Sequence, residues 1–346
     1  MGINYFIDPQ NLFSHEKYEK GIAQYVLKGK YVTDVFNYDE RIFQKYIILG
    51  LPKPPETVIL GTSKDLLIDS SFLQGSPAHV LNCAVSGAVL EDEMALYGTM
   101  IAKGWHPKKV ILGVEPYFFN KNLGRNLYGA VRQYYYAFCD TLGIKGTPRH
   151  ELFFKYGNYK QLISMEYFQK SLLFWMGTGN NHHYMVTDRR ENKNKTRTPN
   201  GSIVYTQEYR EFTTLATDRL AEKAATPDGM YFAENFKELS PDLKNRFEKF
   251  IGYLQSHHIQ VEFVFTPYHP MFFDRLKALP DYHVSLEAEK YVRQFAKDKG
   301  IPLFGSIDPT ECGMDHTDFY DEQHLKKEAL VRILAKPLTP KGGLSE

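Results

Sequence analysis

The chain lacks the features that mark several large classes of protein. Its three cysteines, Cys83, Cys139 and Cys312, are far apart and include no C-x-x-C pair, which argues against a disulfide scaffold and a structural zinc site. No apolar run approaches the roughly 18 to 20 residues of a membrane span, and the first residues lack the basic and apolar regions of a signal peptide. These absences predict a chain that is soluble as given.

The sequence also has no excess of charge of one sign and no visible internal repeat. Lys and Arg together number 42, and Asp and Glu together number 41. Without a strong global field, neither nucleic acid nor an acidic membrane is indicated as a partner. With 346 residues the chain can bury one large core, so we expect one elaborated α/β domain with an insertion.

Short apolar runs alternate with amphipathic helical segments at both ends of the chain. The runs predicted as strands are Thr57–Leu60, 79–85, 110–114, "IQVEFVFTP" and "IPLF". This alternation predicts a mainly parallel, five-stranded sheet covered on both faces by helices. Ligands should then bind beyond the carboxyl ends of the strands.

The start and the middle of the chain depart from this rhythm. We expect a helical N-terminal arm over residues 1–56, an α/β domain over 57–340, and an inserted region over 120–240 that covers the active edge and carries substrate contacts. Within the insertion, "TDRRENKNKTRTPNGS" has few apolar residues and many charges. It is predicted to be a mobile loop, and deletion of 189–197 should leave folding intact.

Ser63 directly follows the first predicted strand, in "TVILGTSKDLLID". A helix is expected to begin there, and the amides at a helix N-terminus stabilise negative charge, which suits an oxyanion. Taken alone, the motif favours a simple helix N-cap by Ser63 or Thr62. An α/β-hydrolase nucleophile elbow is excluded, because its G-x-S-x-G pattern needs a glycine where this chain has Asp65.

Two further motifs carry chemistry near the same predicted edge. Asp321 and His324 stand three residues apart before an amphipathic helix, a spacing that lets the carboxylate hold the Nδ1 proton while Nε2 accepts a proton from Ser63. Gly87, in "NCAVSGA", can bring its amide close to a tetrahedral intermediate. The plain alternatives are a helix N-cap, a surface histidine and a glycine turn.

Four motifs in this order, "GTS", "NCAVSGA", a strand ending "ILGVEPYFFN", and "DEQH", resemble those of the SGNH/GDSL hydrolase superfamily. More narrowly, Asp8-Pro9 and the segment "YDER" resemble cell-envelope SGNH-like proteins related to alginate O-acetylation and teichoic-acid D-alanylation factors. The resemblance covers the sheet elements and both termini, but not the insertion. It implies a flavodoxin-like three-layer sandwich of the SGNH hydrolase type.

The same resemblance implies roles for individual residues. Ser63 would be the nucleophile, His324 the base and Asp321 its orienting acid, with the amides of Ser63 and Gly87 in the oxyanion hole. No cofactor and no metal are implied.

One motif departs from the family pattern. Where the family offers Gly-x-Asn-Asp, with an asparagine that completes the oxyanion hole, this chain has "GVEP" with Glu115. Losing one such donor costs about 10²- to 10³-fold in rate, and Asn120 or Arg41 is expected to replace it. Asn82, Glu115, Arg41 and His269, in "TPYHP", are expected to contact substrate, with a bond from Glu115 to an N-terminal arginine as the alternative.

The implied function is that of a serine-dependent acyl esterase or O-acyltransferase acting on an O-acylated cell-envelope glycan or glycopolymer. A membrane-bound O-acyltransferase is the implied partner, the chain is expected to be a monomer, and no nucleic acid is involved. The expected location is the extracytoplasmic cell envelope, with a membrane anchor outside this sequence; the cytoplasm is the alternative.

Two other functions stay open at this point. One is a catalytically inactive SGNH-fold protein that serves as a binding or scaffold partner in an envelope assembly. The other is a divalent-metal phosphoesterase, because "DHTDFYDEQH" gathers carboxylates and imidazoles within ten residues, namely Asp315, His316, Asp318, Asp321 and His324. His182 and His183 could add ligands.

Overall fold

The computed structural model describes residues 2–7, 16–73, 75, 79–123, 127–147, 163–178, 184–226, 236–279 and 282–338. The pairs Asp8-Pro9 and His182-His183, which the sequence analysis singled out, lie outside these ranges.

The described residues form nine strands: β1 (Tyr31–Thr33), β2 (Thr57–Leu60), β3 (Val80–Asn82), β4 (Lys109–Gly113), β5 (Met185–Thr187), β6 (Thr196–Arg197), β7 (Ile203–Val204), β8 (Gln260–Val264) and β9 (Leu303–Phe304). The main sheet has the order β3-β2-β4-β8-β9, and every neighbouring pair is parallel. The predicted five-stranded parallel sheet is confirmed. Numbered along the chain, these strands lie in the order 2-1-3-4-5, which is also found in flavodoxin-like sheets.

The helices are α1 (Gly2–Ile7), α2 (Lys17–Leu27), α3 (Glu40–Gly50), α4 (Leu90–Ala102), α5 (Arg132–Leu142), α6 (Met165–Thr178), α7 (Gln207–Arg210), α8 (Thr214–Ala224), α9 (Pro241–Ser256), α10 (Pro270–Ala278), α11 (His283–Lys299) and α12 (Lys327–Leu334). Local residues set several of their ends. Ser240 caps α9 just before Pro241, and Gly300, with φ +64°, ends α11. Within the described ranges, no helix is both long and apolar enough to cross a membrane.

Alternate residues of each strand face opposite sides of the main sheet. In β2, Val58 and Leu60 join the larger core, which helices such as α3, α4, α9 and α11 complete, while Ile59 joins a second core on the other face. That second core is closed by Phe72 and by Leu330 of α12. Both faces of the sheet are therefore covered, and the architecture is compatible with a three-layer sandwich.

A second sheet joins the N-terminal arm to the insertion. Its antiparallel strands have the order β5-β1-β6-β7, so that β1 of the arm pairs with β5 and β6 of the insertion. The polar stretch 187–202 lies in this region, and its residues Thr196 and Arg197 are buried. The prediction of a mobile loop is therefore wrong, because part of the stretch is paired inside the protein and not solvated.

Arg197 is one of the charged residues of the stretch that was predicted to be a mobile loop. Its guanidinium donates to the Glu40 carboxylate, to the Tyr38 hydroxyl at 2.5 Å and to the Gly201 carbonyl at 3.0 Å, with 1% of the side chain exposed. Burial favours the neutral acid, but the charges of Arg197 and then Lys195 hold the pKa of Glu40 at about 2. The buried carboxylate is thus ionised and depends on its arginine partner.

Replacing Arg197 by methionine is expected to lower the free energy of unfolding by about 3–5 kcal/mol, because the Glu40 charge would stay buried without its partner. The exposed Arg189 gives a matched control, and Arg189→Met should change stability by less than about 0.5 kcal/mol. Urea unfolding followed by circular dichroism measures both. Deletion of 189–197 should destabilise the fold for the same reason. Equal stability of Arg197→Met and Arg189→Met would contradict this role of Arg197.

Candidate active site

Ser63 lies at the topological switch point of the main sheet. From β2 the chain first adds β3 on one side and then β4 on the other, so the crevice beyond the carboxyl ends of β2 and β4 is where open α/β sheets bind ligands. Ser63 follows β2 there and is partly exposed. The residue is therefore not sealed inside the fold at that crevice.

No helix begins at Ser63. The chain instead makes two successive turns, closed by hydrogen bonds from the Asp65 amide to the Thr62 carbonyl at 3.1 Å and from the Ile68 amide to the Asp65 carbonyl at 3.0 Å. The first helical turn after β2 is the 3-10 helix Ser70–Phe72. The predicted helix N-terminus, and with it the N-cap alternative, is therefore wrong.

The Asp65 side chain explains the shape of this turn. Its carboxyl group accepts a hydrogen bond from the Thr62 amide at 2.9 Å and lies against two glycines. A Cβ at Gly61 would come within 2.3 Å of Asp65 Oδ2, and a Cβ at Gly113 within 2.1 Å. Burial raises the pKa of Asp65 to about 7. The turn that presents Ser63 is thus fixed by a buried carboxyl group that only glycine neighbours accommodate.

Ser63, His324 and Asp321 form a continuous hydrogen-bonded chain. Nε2 of His324 lies 2.8 Å from Oγ of Ser63, and Nδ1 lies 2.8 and 3.0 Å from the two carboxylate oxygens of Asp321. Because an ionised carboxylate only accepts hydrogen bonds, Nδ1 carries the proton and Nε2 is left to accept the serine proton. The structure thus brings together the predicted nucleophile, base and orienting acid.

Asp321 is surrounded by donors. They are the Tyr209 hydroxyl, the His324 ring, and the backbone amides of Gln323 and His324 at 2.9 and 2.8 Å. Burial opposes the charge, but His324 and these hydrogen bonds hold the pKa of Asp321 at about 2. Burial would also lower the pKa of His324, yet the Asp321 carboxylate raises it above the usual 6.5. The acid therefore stays ionised while the ring exchanges its proton.

Two tyrosines of the insertion reach the triad, and neither was predicted from the sequence. Tyr209 of α7 donates to Asp321, and the Tyr205 hydroxyl donates to the Ser63 carbonyl at 3.3 Å. The Tyr205 ring also lies edge-on to His324, with the ring centres 6.0 Å apart. Burial raises the pKa of both phenols well above the ordinary value, so both remain donors. Tyr205 precedes α7, so no helical spacing of the pair could have signalled the two residues.

Two backbone amides at this edge are free to bind a negative charge. Among the residues that the structure describes, the amides of Ser63 and Gly87 donate no hydrogen bond. The Val85 amide donates to the Gly61 carbonyl at 3.0 Å, which fixes the turn bearing Gly87 beside the turn bearing Ser63. Gly87 has φ +59°, a conformation that favours glycine. The oxyanion role of both amides stays a prediction that this geometry allows.

The N-terminal arm holds the turn that carries Gly87. The Glu40 carboxylate accepts from the Ser86 amide at 2.6 Å, and the Arg41 guanidinium donates to the Ser86 carbonyl at 3.2 Å. Arg41 also binds both oxygens of Asp92, at 2.7 and 3.1 Å. Since its guanidinium is committed to these partners and buried, the geometry does not support a substrate contact or an oxyanion role for Arg41. Its position indicates a role in positioning Gly87.

Glu115 forms a buried ion pair with Lys64. The Lys64 ammonium lies 2.9 and 3.0 Å from the two carboxylate oxygens, and the side chains are only 3% and 4% exposed. The Thr62 hydroxyl also donates to Glu115, at 3.3 Å, and the ammonium lies 4.1 Å from the centre of the Tyr268 ring. The partner of Glu115 is thus a lysine, not the N-terminal arginine named as the alternative, and burial in this ion pair leaves the predicted substrate contact of Glu115 without geometric support. Lys64 is a further residue of the site that the sequence analysis missed.

Asn82 serves the fold. Its side-chain nitrogen donates to the carbonyls of Asp65 and Ile68 at 2.8 and 2.9 Å, and its side-chain oxygen accepts from the Ala84 amide at 2.8 Å. The residue is fully buried. With both amide hydrogens used, no donor is left for a substrate, so the predicted substrate contact has no geometric support.

Asn120 lies at the end of a 3-10 helix, Pro116–Phe119. Its side-chain oxygen accepts from the Asn122 amide at 3.0 Å, and the residue is 5% exposed. The predicted oxyanion role of Asn120 therefore draws no support from these contacts.

His269 stands at the start of α10 and is fully buried. Its Nε2 lies 3.2 Å from Oδ1 of Asp218, and its ring centre lies 4.8 Å from that of His316. Burial lowers the pKa of this imidazole. The ring offers no exposed surface to a substrate in this structure, so the predicted contact is not supported either.

The residues proposed for a phosphoesterase metal centre separate into three groups. Asp321 and His324 belong to the triad. The carboxylates of Asp315 and Asp318 accept hydrogen bonds from backbone amides of their own turn, and the His316 ring bonds Asp218. The other two proposed ligands, His182 and His183, lie outside the described residues. The loop therefore does not act as one metal-binding unit, and the phosphoesterase hypothesis loses its geometric basis.

Comparison with protein-family models gives no match to this chain, and comparison with curated proteins gives none either. The resemblance to SGNH hydrolases stays a prediction, and a functional proposal has to rest on the geometry of the site.

Proposed function

We propose that this protein is a serine-dependent acyl esterase or O-acyltransferase that forms an acyl-enzyme at Ser63. The observation that carries the proposal is the hydrogen-bonded chain of Ser63, His324 and Asp321 at the switch point of the sheet. A base held by a carboxylate makes a serine hydroxyl nucleophilic at neutral pH. The free amides of Ser63 and Gly87 support the same reaction, because they can bind the developing oxyanion.

The proposed reaction has two steps. Oγ of Ser63 attacks the acyl carbon while its proton moves to Nε2 of His324, and His324 then gives this proton to the leaving alcohol oxygen as the old ester bond breaks. Water or an acceptor hydroxyl next attacks the acyl-serine and passes its proton to His324. The released acid or new ester leaves as Ser63 regains a proton. Asp321 stays ionised throughout and orients the ring.

An O-acylated cell-envelope glycan or glycopolymer is the proposed substrate. The resemblance of the motifs to envelope acylation factors supports this choice of substrate. Such a resemblance supports a function less strongly than the geometry of the site does. Tyr205 and Tyr209 are partly exposed and contact Ser63 and Asp321, and aromatic side chains combine an apolar face with a polar tip, which suits a sugar. A membrane-bound O-acyltransferase as acyl donor belongs to the same proposal.

A fluorophosphonate probe is expected to label Ser63 covalently, and Ser63→Ala should abolish the label. The matched control is Ser256, which bonds His257 at 3.2 Å on the surface but in a pair without a carboxylate partner among the described residues. Peptide mapping by mass spectrometry should find the label on Ser63 alone, and Ser256→Ala should not affect it. Labelling should persist in the presence of a chelator. A metal phosphoesterase would instead lose its activity when the chelator removes its metal.

A non-catalytic binding protein is the second candidate. Glu115 favours it, because this residue replaces the asparagine donor that the resemblance predicts and is paired with Lys64. Folded protein that resists the probe and does not hydrolyse p-nitrophenyl acetate would favour the binding protein over the enzyme.

A further inference from the structure

A second group of polar side chains lies beside the segment that carries the triad acid and base. Asp218 of α8, His269 before α10 and His316 of the 3-10 helix His316–Asp318 each offer one ligand atom, and these atoms lie within 4.8 Å of one another. Within the part of the chain that the structure describes, no other three or more His, Cys, Asp or Glu side chains are grouped in this way.

The distances within this group suit one small cation. Oδ1 of Asp218 lies 3.2 Å from Nε2 of His269 and 2.8 Å from Nδ1 of His316. Two ligand atoms on one tetrahedral Zn²⁺ are about 3.3 Å apart, because each lies about 2.0–2.1 Å from the metal. An ion between them would lengthen the direct hydrogen bond of Asp218 with His316 and draw the two rings together from a separation of at most 4.8 Å.

His269 provides an independent indication of a ligand. The side chain is fully buried, yet among the described residues its two ring nitrogens have no hydrogen-bond partner beyond the 3.2 Å contact of Nε2 with Asp218. Buried polar atoms of native proteins nearly always have a partner. A metal ion bound at Nε2 would supply one. The other two side chains are 30% and 44% exposed, so that an ion can enter from solvent.

We propose that Asp218, His269 and His316 bind one divalent transition-metal ion, for which Zn²⁺ is the best match. Two imidazoles and one carboxylate form a ligand set that zinc sites use, with a fourth position left for water. Ca²⁺ and Mg²⁺ prefer more oxygen ligands than this group offers.

The metal would connect the insertion to the segment that carries the triad. The His269 amide donates to the Glu322 carbonyl at 2.9 Å, next to Asp321, and the Thr217 hydroxyl of α8 bonds the Tyr320 carbonyl at 3.4 Å. An ion held by Asp218 and His316 would therefore fix α8 on residues 316–322. This role does not depend on catalysis at Ser63.

Zinc binding to metal-stripped full chain tests the proposal. Isothermal titration should show one Zn²⁺ bound per chain, and Zn²⁺ should raise the unfolding temperature, while excess Ca²⁺ should do neither. His316→Ala and Asp218→Asn are the decisive variants, because both residues are partly exposed and the metal-free fold should tolerate them. Each should weaken Zn²⁺ binding by more than the roughly 10- to 100-fold that loss of an outer-shell partner causes.

His257→Ala is the matched control, since His257 is exposed and stacks on another exposed histidine, His106. It should leave both the stoichiometry and the thermal shift unchanged. The proposal is overturned if native protein binds no stoichiometric Zn²⁺, Co²⁺ or Mn²⁺ at micromolar concentration, or if His316→Ala binds Zn²⁺ as tightly as the native chain. All readouts are independent of esterase activity, so a failed zinc titration leaves the proposal for Ser63 standing, and the reverse also holds.

Discussion

Ser63→Ala and His324→Ala are each expected to lower kcat/KM for p-nitrophenyl acetate by at least about 10³-fold, and the double variant should lose little more. In triad enzymes, removal of either group costs about 10⁶-fold in kcat, nearly as much as removal of the whole triad, because the members act as one unit. A missing oxyanion donor lowers the starting rate by about 10²- to 10³-fold. The loss of kcat/KM that can be measured for this protein is therefore smaller by the same 10²- to 10³-fold.

The surface pair Ser256 and His257 provides the control for this experiment. The two side chains lie 3.2 Å apart, but the other partner of the His257 ring is the Tyr253 carbonyl, not a carboxylate. The variant Ser256→Ala/His257→Ala should keep full activity. If the losses of Ser63→Ala and His324→Ala multiplied in the double variant, the two residues would be acting separately, and the triad interpretation would fail.

The main sheet was predictable from local pattern alone. Strands covered on both faces leave short continuous apolar runs, and the predicted Thr57–Leu60 coincides with β2. One of the helical segments expected between these strands forms α4, and Gly104 has φ +71° just beyond the helix end. The last strand is shorter than expected, Leu303–Phe304 in place of 301–304.

The second sheet was not predictable in the same way. Its strands β5, β6 and β7 have only two or three residues, which is too short for an alternating pattern to show. The partner that neutralises Arg197 is Glu40, 157 positions away in the sequence. A charged residue whose partner is this far away in the sequence cannot be distinguished, from the sequence alone, from one that remains in solvent.

In the candidate site, too, contacts between residues close in sequence were predictable and contacts between distant residues were not. Asp321 and His324 could be paired from sequence because their contact is local, with the Asp321 carboxylate also binding the His324 amide. Lys64 with Glu115, and Tyr209 with Asp321, are 51 and 112 positions apart, and only the fold brings them together. The predicted roles of Arg41 and Asn82 lack geometric support for a related reason, since internal partners already occupy both side chains.

Asp321→Asn is expected to reduce kcat/KM by about 10- to 100-fold less than Ser63→Ala does, since the orienting acid contributes less than the nucleophile, and to shift the pH dependence. The base must be neutral, and the Asp321 carboxylate raises the pKa of His324 above 6.5. Native kcat/KM should therefore rise with pH through a midpoint above that value.

Without the carboxylate the imidazolium loses its stabilising charge, so in Asp321→Asn the midpoint of this rise should move to lower pH while the plateau falls. Asp298→Asn removes an exposed carboxylate of α11 and should leave both midpoint and plateau unchanged. Initial rates measured from roughly 1.5 pH units below to roughly 2.5 above the ordinary histidine pKa separate the two effects. A midpoint that stayed in place in Asp321→Asn would show that the titrating group is not a histidine held by Asp321.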